Sequence, residues 1–127
     1  MKKDITTRHD VEVLVNRFYD YVMSDDVIGY IFTDVAKVNW EKHLPVMYDF
    51  WEGVLFYTGT YRGNPMLLHK QLNDKTPLTA AHFQRWLQLF TGTVEELFEG
   101  EKAEIARQRA MSISTMMQVK ILQPDNK

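Results

Sequence analysis

Residues Trp40–His69 read WEKHLPVMYDFWEGVLFYTGTYRGNPMLLH. The run opens with His43 in a strongly apolar amphipathic segment and closes with His69 after a Gly/Pro turn. One stretch of chain can therefore present two imidazoles to opposite sides of one flat ligand. The apolar spacing predicts a helix of about five turns from Trp40. His43, Met47, Phe50 and Val54 share one face, and Trp40, Leu44, Tyr48, Trp51 and Leu55 an adjacent one. Such a helix is apolar over more than half its circumference, more than one packing partner requires, so a second body is expected against the His43 side. Pro45 opposes this, since an internal proline costs on the order of 3 kcal/mol and disfavours a helical conformation at the residue before it, Leu44. The helix is expected to kink at Pro45 or to start there.

Around that helix the boundaries are local. Asn39 is placed to cap it, with Glu41 near its positive end. Thr58–Gly63 (TGTYRG) is a turn, and Asn64 and Pro65 then open a short helix, PMLLHKQL, with His69 about one turn in. Upstream, Val11, Leu14, Val15, Phe18 and Val22 follow the i, i+3, i+4, i+7 rule, with Thr6 or Thr7 as N-cap and an end near Ser24–Asp26. Tyr19 lies at the edge of that stripe, where plain packing with the hydroxyl at the rim is the simplest role. Val27–Phe32 is a helical turn feeding a corner, with Phe32 pointing inward.

Downstream, Thr79 caps a helix whose stripe is Phe83, Trp86, Leu87, Phe90, Val94 and Leu97, ended by Gly100. A last helix from about Glu101 buries Ala103, Ala106, Ala110, Ile113 and Met117. Every strong period is near 3.6 and no strand of length is evident. The expected fold is all-α, one domain over residues 1–122, with a frayed tail at 123–127.

Composition removes several classes of function. A formal net charge of -2 offers no basic surface for nucleic acid. The absence of cysteine excludes disulfides, thiolate ligands and cysteine nucleophiles. The start, MKKDITTRHD, has no apolar run for a signal peptide or membrane span, so no membrane partner and a cytoplasmic location are expected; a monomer is the expected state. No serine sits in a nucleophile elbow, and TGTYRG follows a helix and lacks the lysine of a phosphate-binding loop.

The four histidines, His9, His43, His69 and His82, lack the His-Glu-x-x-His or paired Glu-x-x-His spacing of zinc and di-iron sites. Haem asks for less: one axial imidazole, apolar walls and polar groups opposite. His69 suits the axial role, although a surface histidine on an amphipathic turn fits the same residues. His82 competes, but it lies in the first turn after a cap, where capping or aromatic stacking is the simpler role.

The pieces FYDYV (18–22), IF (31–32), W-x-x-HLPVMYDFWEGVL (40–55), Y-x-G-x-P-x-x-x-H (61–69) and HFQRWLQLF (82–90) occur in one order. In that order and spacing the chain resembles the group III truncated haemoglobins, from about Val11 to Met117. The resemblance implies a shortened globin fold, helices B, E, G and H two-over-two around haem b. It implies His69 as the proximal iron ligand, and Tyr19, His43 and Trp86 as the distal groups facing O2, NO or CO. Phe32 would wedge against the macrocycle, with Met47, Leu68, Phe83 and Phe90 lining the pocket. Arg62, Lys70 and Arg85 are the candidates for the propionates. Turnover of NO or peroxide with an external reductase stays open, and the competing reading is a haem-free or sensor-type helical interaction module on the same fold.

Overall fold

A computed structural model describes residues 2–32, 39–56 and 78–122. Among the described residues four helices are ordered α1 (Arg8–Ser24), α2 (Trp40–Phe56), α3 (Ala80–Leu97) and α4 (Glu101–Leu122). α1 packs on α2 and α3 on α4, while α1 against α3 and α2 against α4 join the two pairs. This is the expected all-α, two-over-two arrangement. The expected turn at 58–63, the short helix carrying Leu68 and His69, and the 123–127 tail lie outside the described residues.

The helix starts are local chemistry. Thr7, rather than Thr6, caps α1: its side chain accepts from the Asp10 N–H, and Asp10 accepts in return from the Thr7 N–H at 3.1 Å. Asp25 ends the helix in an extended conformation. Residues 29–32 are helical, and Ile28 and Ile31 are buried while Phe32 is half-buried. Thr79 caps α3 as expected.

At two places the chain departs from the expectation. α2 runs from Trp40 through Pro45 to Phe56, so of the two expected outcomes the helix does not start at the proline. The ring of Pro45 faces solvent, so the lost N–H leaves the Glu41 carbonyl on an exposed side where water can satisfy it. α3 ends at Leu97 rather than at Gly100, because Phe98 leaves the helix in an extended conformation and buries its ring. Gly100 serves the corner instead, at φ 142°, with a hypothetical Cβ only 2.6 Å from the Asp4 side chain.

That contact exists because Asp4 caps α4 from the other end of the chain. Its carboxylate accepts from the Lys102 and Ala103 N–H groups at 2.9 Å each, and the Lys3 carbonyl accepts from Glu99 N–H at 2.9 Å. Burial alone would raise the Asp4 pKa; the Lys102, Ala103 and Ile5 backbone donors outweigh it and hold the group below its ordinary 3.8. Asp10 behaves alike: burial works upward, yet Lys3, Thr6 and Thr7 hold it well below the usual carboxylate range. Both groups stabilise the fold while ionised, so stability is fully present above about pH 4 and is lost as the pH falls toward their depressed folded values. Acid unfolding curves should show this loss, and Asp4→Asn should flatten part of it; an unchanged slope would contradict the capping role.

The core is aromatic at its centre. Phe90, fully buried, stacks on Trp51 at 4.6 Å between ring centroids and on Trp86 at 5.9 Å, and meets Phe18 edge-on at 5.2 Å. One ring from α3 thus touches α1 and α2. Phe90→Ala is expected to cost about 3–5 kcal/mol. Urea unfolding monitored by circular dichroism would measure it, and a loss under about 1 kcal/mol would deny Phe90 that central place.

Candidate functional site

Tyr19 is carried into the interior by α1, four residues after buried Val15 and three before buried Val22. Its ring is enclosed by Phe18 and Trp40, each 4.9 Å away, with His43 at 5.3 Å and Phe32 at 6.1 Å. His43 falls in the first turn of α2, and its Nε2 lies 3.1 Å from the Tyr19 hydroxyl. Burial pushes the Tyr19 phenol far above its ordinary value, so the side chain is a neutral hydroxyl that keeps its proton. The histidine tautomer decides which group donates: with hydrogen on Nδ1 the tyrosine donates to Nε2, and with hydrogen on Nε2 the imidazole donates to the hydroxyl.

Trp86 enters from α3. Its ring meets Phe18 edge-on at 5.9 Å, so Tyr19 and Trp86 both rest on Phe18. Beside them lies an apolar cleft: Ile28, Ile31 and Phe32 form one wall, Leu78, His82, Phe83 and Trp86 a second, and Ile113, Ser114 and Met117 from α4 a third. The polar groups at its edge are few, which suits a cleft meant for an apolar body with a small number of directed donors.

His82 takes the part of a cap. Its Nδ1 accepts from the Thr79 N–H at 3.1 Å, its own N–H donates to Thr79 Oγ1 at 3.3 Å, and its ring packs against Tyr30 at 6.3 Å. Of the other sequence candidates, Phe32 and Phe83 line the cleft, and Met47 is half-buried one turn after His43. Phe90 lies in the core, stacked against Trp86. Leu68 and His69 lie outside the described residues. Arg85, a candidate anion partner, is engaged by Asp25: Nη2 lies 2.6 Å and Nε 2.8 Å from Asp25 Oδ1.

Two features escaped the sequence reading. The helical spacing puts Trp40 on the face next to that of His43, yet its ring packs on Tyr19, on His43 at 5.6 Å and on Phe32 at 6.3 Å. The i, i+3 relation to His43 was the available signal. The Asp25–Arg85 pair spans 60 residues and left no local trace.

Comparison with known proteins places the fold. The chain is 28% identical to the group 3 truncated haemoglobin of Campylobacter jejuni over 121 residues, 93% of each chain. Its fold superposes on the crystal structure of group III truncated haemoglobin from Campylobacter jejuni with a TM-score of 0.81 and 27% identity, covering 95% of both chains. Residues 3–122 match the family model for bacterial-like globins, and with four helices in two packed pairs around an apolar cleft, the chain belongs to the bacterial-like globin family.

Proposed function

We propose that this chain binds haem b through His69 as the proximal iron ligand, and receives O2, NO or CO on the side of Tyr19, His43 and Trp86. The observation that carries the reading is the neutral, buried Tyr19 hydroxyl 3.1 Å from His43 Nε2, inside an aromatic enclosure beside an apolar cleft. The residues fit the group. Ile28, Ile31, Phe32, Phe83, Ile113 and Met117 offer apolar surface to a flat macrocycle, and tyrosine, histidine and tryptophan each combine packing area with one or two polar hydrogens.

When bound, haem supplies an iron that takes a diatomic molecule and shifts electron density toward it. The chain's own groups answer that charge. Tyr19 retains its proton and can donate it into a hydrogen bond, and the Trp86 indole N–H can only donate. Around the buried Tyr19 side chain such bonds are stronger than at the surface. His43 regulates the first of them: while its Nε2 is an acceptor it competes for the tyrosine hydrogen, and once Nε2 carries hydrogen the hydroxyl is released toward the cleft. Turnover of NO or peroxide would use the same groups, with electrons delivered by a reductase outside this chain.

Titrating the purified chain with haem tests the reading. A Soret band saturating at one equivalent, and moving on reduction and on addition of CO, is expected. Absorbance that stays at that of free haem would overturn it and favour the haem-free helical module.

A further inference from the structure

The end of α1 holds a carboxylate that the ligand-binding reading leaves unused. Asp25 has a side chain only 3% exposed, and both its oxygens are committed. Oδ1 receives Arg85 Nε at 2.8 Å and Nη2 at 2.6 Å; Oδ2 receives the Val27 N–H at 2.9 Å and the Ile28 N–H at 3.1 Å. The guanidinium is further held by Gln88 Oε1, 3.3 Å from Nη1.

These bonds connect two walls of the cleft. The backbone at 27–28 starts the turn that delivers Ile28, Ile31 and Phe32, and Arg85 immediately precedes Trp86 on the opposite wall. A third connection runs through α1 itself, which ends at Asp25 and carries Phe18 and Tyr19. The apolar packing of α3 is non-directional, whereas the pair, with two guanidinium N–H groups on one carboxylate oxygen, adds a directed restraint on the register of the helix at Arg85.

We propose that Asp25 and Arg85 are positioning residues for the ligand pocket: their ion pair fixes the distance and rotation of Trp86 relative to the Phe32 wall, and so sets where the indole donor meets a bound ligand. The proposal rests on the reading of Trp86 as a distal donor. Asp25→Asn is the sharpest variant, since an amide oxygen can still accept the Val27 and Ile28 N–H groups while the charge facing Arg85 is gone. Arg85→Gln removes the same pair from the other side, and Arg85→Lys keeps the charge without the planar fork.

The test has two readouts on the whole chain. In 5-fluorotryptophan-labelled protein without haem, the fluorine resonance assigned by Trp86→Phe reports the indole's surroundings. In the haem- and CO-loaded protein, the C–O stretching band reports the field at the ligand. Asp25→Asn and Arg85→Gln should each shift or broaden both signals, the double variant should add little, and Arg85→Lys should restore them in part. O2 release should become a few times faster. Lowered thermal stability with both signals unchanged would overturn the proposal and leave the pair a structural clamp. A displaced fluorine resonance with an unchanged C–O band would equally overturn it, and would count against Trp86 as a donor. A wild-type chain that forms no Soret band would instead defeat the haem reading, and the fluorine experiment would still decide whether the pair positions Trp86.

Discussion

Replacing His69 by glycine is expected to abolish or alter the Soret band of the haem-loaded protein, leaving either free haem or a weak, displaced band. An imidazole nitrogen on iron would be a directed bond, whereas apolar contacts to the macrocycle would be non-directional and could retain the ring without fixing the iron. Added imidazole should restore the band, because a glycine leaves room for the missing ring. His82→Ala is the matched control: His82 Nδ1 already accepts from the Thr79 N–H, and losing it should cost helix stability without removing the Soret band, even though the side chain lines the cleft. A His69→Gly spectrum equal to wild type, or one lost in His82→Ala, would remove His69 from the iron.

Tyr19→Phe should accelerate O2 release by roughly 10–100-fold. A hydrogen bond to a charged or strongly polarised acceptor contributes about 1.5–3 kcal/mol, and each 1.4 kcal/mol is a factor of ten. Phenylalanine keeps the contacts with Phe18, Trp40 and Phe32 and removes only the hydroxyl, so fold and haem content should be unchanged. CO, which draws less charge from the iron, should be released at nearly the wild-type rate. Stopped-flow ligand replacement would measure both rates. An O2 off-rate within twofold of wild type would mean that the Tyr19 hydroxyl spends its hydrogen on His43 Nε2 throughout, and that Trp86 carries the stabilisation.

The acid behaviour of Asp4 and Asp10 and the aromatic centre at Phe90 bear on function through geometry rather than chemistry. Phe90 backs the Trp86 ring, and the Asp4 cap holds the α3–α4 corner from which the third wall of the cleft extends. Lys102 adds a tie between pairs, its Nζ donating to the Leu55 carbonyl near the end of α2 at 2.8 Å. A cation there also faces the negative end of that helix.

What the sequence determined by itself was everything carried by neighbours within a few residues. Helix periods, the Thr79 cap, the Ala103, Ala106 and Ala110 stripe and the all-α class follow from spacing and capping chemistry, which act over one or two turns, while the choice of Thr7 over Thr6 came with the structure. Motif order added the family and the candidate residues. The tertiary structure alone decided which distant groups meet. Tyr19 and His43 come within 3.1 Å across 24 residues. Asp4 reaches Lys102 across 98, and Asp25 reaches Arg85 across 60. None of these pairings has a local energetic signature, because each forms only after apolar burial has placed the helices. The same burial let α2 continue through Pro45 and drew Phe98 out of α3, two outcomes in which packing of a whole face outweighed a local preference.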